Sequence, residues 1–315
     1  MRIVFMGTPE FAVSSLDALL NSGHEVVAVV TAPDKPAGRG QALQESDVKK
    51  FAKEKGLKIL QPIKLKDEKF ISELRSYCHD IQVVVAFRML PEVVWSMPKL
   101  GTINLHASLL PQYRGAAPIN WAIINGEQKT GITTFLLSNT IDTGDILYSE
   151  EAEIGENETA GELHDELMRR GALLLVKTVN TMEKGEAKAL RQSHHIKDLK
   201  TAPKIFRDDC RINWNDAARN IHNLIRGLSP YPAAWTTLHG PGGRSQVMKI
   251  YRSSLSNDVK TSVPGMIQCD NEKVLGISTG EGAINILELQ LEGKKRMNVS
   301  DFLLGTKLNP EMQVR

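Results

Sequence analysis

A short, almost wholly apolar run at residues 81–86, Ile-Gln-Val-Val-Val-Ala, constrains the fold more than any other stretch of this chain. It is too short for a buried helix, and β-branched side chains on both alternating faces suit a strand covered from both sides. Strands of that kind sit inside parallel sheets, where crossover helices occupy both faces. The neighbouring segments fit. Strand-like pieces at 2–6, 25–31 and 58–60 alternate with helix-like pieces after Thr8-Pro9, near 46–55 and near 67–78. Thr8 is placed to cap the first helix with Pro9 at its first position; Phe11, Leu16, Leu19 and Leu20 give it an apolar side. The N-terminal half therefore reads as α/β, a Rossmann-like, mostly parallel sheet.

At 315 residues the chain exceeds one ordinary core, so a second domain is expected. Beyond the Asn125-Gly126 turn come strand-like segments at 131–137 and 145–152. Thr159 and Glu162 then stand at capping-box spacing before Leu163, Leu167, Leu173 and Leu174. A polar stretch from Lys184 to Arg207 reads as a linker. One helix at 215–226, ending at Gly227, precedes short alternating segments at 234–238, 246–252, 266–269, 274–278 and 284–289. That pattern predicts a smaller C-terminal β-barrel of OB-like kind. The expected division is a catalytic domain at 1–189, a linker at 190–206 and the barrel at 207–315.

The net charge of +2 means that a nucleic-acid partner would be met by local basic patches. Cys78, Cys210 and Cys269 lack metal-ligand spacing and read as buried fillers in a reducing cytosol. No signal peptide, membrane span, metal set or dimer-forming heptad is visible. The expectation is a cytoplasmic monomer.

Chemistry concentrates at 101–145. Asn104 and His106, two apart on a strand, share one face at its C-terminal end, where open α/β sheets keep their ligand crevices. An amide donor and an imidazole can stabilise an oxyanion and move a proton, and Asp142 in Asp142-Thr143-Gly144-Asp145 can orient the imidazole. The plainer readings are strand-closing hydrogen bonds and a simple turn. Acyl or formyl transfer is the reaction class to test. Gly7-Thr8-Pro9-Glu10 occupies the place of a dinucleotide fingerprint, but one glycine with Pro9 and Glu10 would not cradle a pyrophosphate. A nicotinamide dehydrogenase is disfavoured.

Residues 31–41, Thr-Ala-Pro-Asp-Lys-Pro-Ala-Gly-Arg-Gly-Gln, lack helix or strand period and read as a projecting loop carrying Lys35 and Arg39. Lys294-Lys295-Arg296 is a basic cluster, and Lys200, Lys204, Arg207 and Arg211 follow the linker. Solvated charge is the bland reading and a discontinuous track for RNA phosphates the functional one. The four indoles, Trp95, Trp121, Trp214 and Trp235, read as packing residues.

Several blocks together resemble the methionyl-tRNA formyltransferase family, a branch of the folate-dependent formyltransferases. They are 7–12, 34–40, Asn104-Leu105-His106-Ala107-Ser108-Leu109-Leu110-Pro111, 114–119, 142–145, 211–214 and 293–297, nearly the whole chain. The resemblance implies formyl transfer from 10-formyltetrahydrofolate to the α-amine of methionyl initiator tRNA, without metal. It makes Asn104, His106 and Asp142 the catalytic group. It assigns folate contacts to Ser108, Leu109, Leu110 and Pro111 and a pterin pocket to Phe87, Arg88, Met89 and Leu90. Arg39 would enter the acceptor end of the tRNA, with Lys35, Lys204, Arg207, Lys294 and Lys295 as further tRNA contacts. Gln41 and Ala42 stand where many members of the family carry two basic residues, which implies a weaker electrostatic share for the loop. Rival readings are an amino sugar nucleotide as acceptor, release of formate to water, and a noncatalytic RNA-binding protein.

Overall fold

A computed structural model describes residues 1–37, 42–192, 198–240, 243, 245–256, 263–270, 272–308 and 312–315. The chain divides into two compact units, neither contiguous. Met1–Gly115, Thr130–Ala152 and His164–Thr201 form the first; Ala116–Lys129, Glu153–Leu163 and Ala202–Arg315 form the second.

The first unit is built on a seven-stranded sheet in the order Ile146–Glu153, Lys129–Leu136, Thr102–His106, Ile81–Val85, Arg2–Gly7, Glu25–Val30, Ile59–Leu60. From Thr102–His106 to Ile59–Leu60 every pairing is parallel, and Lys129–Leu136 joins Thr102–His106 antiparallel. Ile81–Val85 is buried at all positions, as its apolar run demands. Thr102–His106 is the strand at which parallel pairing gives way to antiparallel.

Local chemistry sets the helix boundaries. Ser46 accepts the N–H of Lys49 and so caps Asp47–Glu54, while Asp67 accepts from Lys69 and Phe70 and caps Glu68–Ser76. Thr8 does not cap the first helix. Pro9 is extended at the N-cap, Glu10–Leu20 follows with no side-chain cap, and the Thr8 carbonyl accepts from Val48 instead. Gly7 is required by close approach: a Cβ there would lie 2.6 Å from the Ala12 Cβ. The segment expected to be a plain loop is also corrected. Lys35–Ala37 pairs with Ala42–Gln44 as a short antiparallel hairpin, Lys35 facing Gln44. Short pairing of this kind leaves no period in the sequence, and its tip, with Arg39, lies outside the described residues.

The second unit contains an antiparallel sheet in the order Ile267–Cys269, Leu275–Ser278, Ala283–Leu291, Ser245–Ser256, Ala234–His239, Gln313–Val314, with Met297–Asn298 on Ala283–Leu291. A bridge between Met266 and Gln313 joins the two ends, so the sheet closes into a barrel. Its core includes Ile250, Ile277, Ile286 and Leu289, with Ile221 and Ile225 from the helix Ala218–Gly227. That helix starts later than expected because Asn213 and Asp216 tie 213–216 into a turn. Gly227 is its last residue rather than a terminator beyond it. A Cβ at Gly227 would stand 2.6 Å from the Ile124 Cγ1 of helix Pro118–Ile124, so the glycine serves helix–helix packing. Cys210 is a buried filler as expected, but Cys78 is exposed. No helix among the described residues is long and apolar enough to cross a membrane.

Candidate active site

The Thr102–His106 strand presents its two faces to different tasks. Leu105 packs on helix Ala160–Glu183 at Gly171, where an added Cβ would come within 2.8 Å of its Cδ2. Asn104 and His106 point to the other face. Asn104 is half-buried, and its amide has no hydrogen bond to a described residue. His106 is 7% exposed, and its Nε2 lies 2.9 Å from the Tyr113 carbonyl. A carbonyl only accepts, so Nε2 carries a proton and Nδ1 is the nitrogen left to face Asp142.

The turn after the strand is held by its own polar groups. The Ser108 hydroxyl donates to the Gln112 carbonyl at 2.6 Å, and Thr133 donates to the Ser108 carbonyl at 2.7 Å while accepting the Leu110 N–H. Ser108 is thus committed to shaping the turn. Leu110 is buried, Leu109 and Pro111 are half-buried, and Leu109 lies over Gly131. Tyr113, with φ +58°, donates its N–H to the Lys200 carbonyl, which fixes the carbonyl that His106 uses.

Asp142 arrives from the connection between Lys129–Leu136 and the edge strand Ile146–Glu153. Its φ is +53°, a left-handed conformation that aspartate tolerates better than most side chains. Its Oδ2 accepts the Gly115 N–H at 3.0 Å and lies 3.9 Å from the His106 Nδ1. Gly144 lets this connection lie flat against the sheet: a Cβ there would fall 1.6 Å from the Leu136 carbonyl oxygen. Gln192 donates to the carbonyls of Asp142 and Gly144 and accepts from Arg114. Burial pushes the Arg114 guanidinium below its ordinary value, and the Asp142 charge opposes that shift. His106 and Asp142 therefore meet at the end of the strand, and Asn104 shares the strand face of His106.

The other expected residues are more dispersed. Arg88 and Met89 are exposed after Ala86, while Leu90 is core, packed with Val84 and Val94. The Arg88 guanidinium is bound to the carbonyls of Pro62 and Ile63. In the second unit, Arg207 and Arg211 lie 5.5 and 5.6 Å from the Trp235 ring, and the Lys204 Nζ lies 5.5 Å from the Phe206 ring. Lys294 and Lys295 are exposed beside Arg296, which is paired with Glu288. Sequence reasoning passed over Tyr113, Thr133 and Gln192. Gln192 stands 50 residues from the carbonyl it holds, in a stretch read as linker, and carries no local signal. Among the described residues no three His, Cys, Asp or Glu gather as metal ligands.

A formyl transferase family model matches residues 1–179, and a formyl transferase C-terminal domain model matches 204–307. The methionyl-tRNA formyltransferase of Bacteroides fragilis is 49% identical over 317 residues, covering 100% of this chain and 98% of its own. That of Azobacteroides pseudotrichonymphae is 53% identical over 309 residues, covering 96% and 95%. A solved N-formyltransferase from Helicobacter canadensis, in complex with folinic acid and dTDP-3-aminofucose, shares the fold with a TM-score of 0.64. It is 21% identical and covers 90% of this chain and 98% of its own. Matched in both halves and aligned end to end with such relatives, the chain belongs to the formyl transferase family.

Proposed function

We propose that this protein transfers the formyl group of 10-formyltetrahydrofolate to the α-amine of methionine esterified to initiator tRNA, the step that prepares that tRNA for translation initiation. The observation that carries the acceptor is the likeness to methionyl-tRNA formyltransferases along the whole chain, at 49–53% identity. The observation that supports the chemistry is the meeting of His106 and Asp142, with Oδ2 and Nδ1 3.9 Å apart and Asn104 on the strand face of His106.

In this reading the amine nitrogen attacks the formyl carbon directly, and the C–N bond to the folate N10 breaks. Asn104 donates its amide N–H to the oxygen on which charge develops. His106, whose Nε2 proton is committed to the Tyr113 carbonyl, helps Asn104 stabilise that oxyanion and passes the amine proton on at Nδ1. Asp142 faces that nitrogen, stabilises its charged form and relays the amine proton through water toward the departing N10. Holding two large substrates in line supplies much of the remaining rate.

Ser108, Leu109, Leu110 and Pro111 shape the folate channel through the turn that Ser108 closes, and backbone groups at Arg88, Met89 and Leu90 read the pterin. Lys35 and Arg39 meet the acceptor end of the tRNA, while Lys204, Arg207, Lys294 and Lys295 bind its phosphates. In functional terms 1–189 carries catalysis, 190–206 links, and 207–315 grips the tRNA, in a cytoplasmic enzyme working as a monomer without metal. The decisive experiment supplies labelled 10-formyltetrahydrofolate with charged initiator tRNA, charged elongator tRNA, an amino sugar nucleotide, or no acceptor. Label on the initiator alone is expected. Label on the sugar, free formate without acceptor, or tRNA binding without turnover would each overturn the reading.

A further inference from the structure

The Gln192 side chain is 3% exposed yet belongs to no helix, strand or apolar cluster. Its amide nitrogen donates to the Asp142 carbonyl at 3.0 Å and to the Gly144 carbonyl at 2.7 Å. Its oxygen accepts from the Arg114 Nε at 3.3 Å and Nη2 at 2.6 Å. A guanidinium only donates and a carbonyl only accepts, so the amide cannot be flipped without losing all four contacts. Both protons and the oxygen of the amide are used, and no other uncharged side chain of that length offers two donors and an acceptor together.

What the amide holds is the carboxylate's own backbone. Asp142 is in the left-handed region, so its orientation must be imposed by its surroundings. Two clamps come from the same short segment: the Gly115 N–H binds the carboxylate directly, and Arg114 acts on the backbone through Gln192. We propose that Gln192 is a positioning residue for formyl transfer, fixing Asp142 against His106 by tying the Asp142–Gly144 backbone to Arg114. The inference rests on the catalytic reading of Asp142 given above.

Gln192→Glu and Gln192→Leu, both close in shape, test it. Gln192→Glu keeps the Arg114 contact but replaces two donors by an oxygen that repels the two carbonyls. Each variant should lose about 10- to 100-fold in kcat, the scale of a reacting group displaced by about 1 Å, with KM for folate and for charged tRNA changed less than about twofold. A merely structural glutamine would lower the melting temperature while leaving kcat per folded molecule intact. The coupling is read in an Asp142→Asn background, where Gln192→Glu should produce almost no further loss because its target is already disabled. Retained kcat in Gln192→Glu, or a full additional loss in the double variant, overturns the positioning role. Normal turnover by Asp142→Asn alone overturns the catalytic reading instead, so the two failures are distinguishable.

Discussion

The rim of the first unit's sheet and the basic residues of the second unit handle charge in opposite ways. At the rim, side chains of Asp142 and His106 are only 11% and 8% exposed; Asp142 accepts the Gly115 N–H from 27 residues away, and His106 donates to the Tyr113 carbonyl. In the second unit, Lys294, Lys295, Lys204 and Arg207 are exposed, and Lys204 and Arg207 lie near aromatic rings. Buried groups act in a poorly screened medium, so one misplaced atom matters. Exposed cations are screened and weak singly, so they count by number. The first region should respond to single substitutions in rate, and the second in salt dependence.

The largest effect expected is on turnover at the rim. Asn104→Ala and Asp142→Ala should each lower kcat by about 100- to 1000-fold, the loss typical of one preorganised donor or proton-handling group. Asn104→Ala should leave the melting temperature unchanged, since the half-buried amide has no described partner to abandon. Single-turnover assays with both substrates saturating read this directly. Near-normal turnover in either variant would erase the contrast.

A glycine in each region sharpens the comparison through stability. An alanine Cβ at Gly144 would meet the Leu136 carbonyl oxygen at 1.6 Å, a backbone clash with nothing flexible to give way. Gly293, in the basic turn, has φ +76° and open space around it. Gly144→Ala should therefore cost about 3 kcal/mol or more, whereas Gly293→Ala should show only left-handed strain of about 1 kcal/mol. Urea unfolding midpoints decide between them. Equal costs would mean that the connection carrying Asp142 is no more tightly packed than the basic turn.

The same contrast explains what was legible in the sequence. The Asn104–His106 pair and the Asp142 turn were readable because strand alternation and turn chemistry act over a few residues. The apolar run at 81–86 announced the central strand for the same reason. Thr8 was misread because an extended Pro9 moved the helix start, and the hairpin at Lys35–Ala37 was missed because it has too few residues for a period. Gln192 was invisible because its partners are 48, 50 and 78 residues away. Helix Val299–Gly305 and strand Gln313–Val314 went unseen because barrel closure, not local propensity, defines them. Lys294, Lys295 and Arg296 form one basic run in the sequence, and only the fold shows Arg296 paired with Glu288.

A smaller effect tests the units by pH. Burial holds His79 in the first unit and His222 in the second below the ordinary histidine value. Around His79, Asp80 opposes the shift and Arg2 adds to it; around His222, the Glu156 carbonyl and charge oppose, and Arg226 and Arg219 add. In the window between the lowered folded value and about 6.5, the unfolded chain binds more protons than the folded one. Stability from both histidines is therefore present above that window and lost as pH falls through it. Melting temperature should drop on acidification, and His222→Gln should flatten the slope for the second unit's transition. An unchanged slope would mean that His222 titrates normally.

The smallest effect belongs to the basic turn. Lys294 and Lys295 can lose their side chains without touching the turn, whose bonds run from the Lys294 N–H to Leu291 and from Gln290 to the Lys294 carbonyl. Each substitution to alanine should weaken tRNA binding about threefold and reduce the slope of log affinity against log salt by about 0.7–0.9, one phosphate contact apiece. Arg296 differs although it is next in the sequence. It makes two bonds of 2.6 Å to Glu288 and lies 4.3 Å from the Tyr251 ring, so its charge is already engaged by the barrel. Arg296→Ala should therefore cost up to about 1 kcal/mol of stability and leave the salt slope unchanged. Binding titrations at several salt concentrations separate the two behaviours. A slope that falls equally for all three would show that a fixed ion pair is no barrier to phosphate contact, and the division between held and free charge would fail at its weakest point.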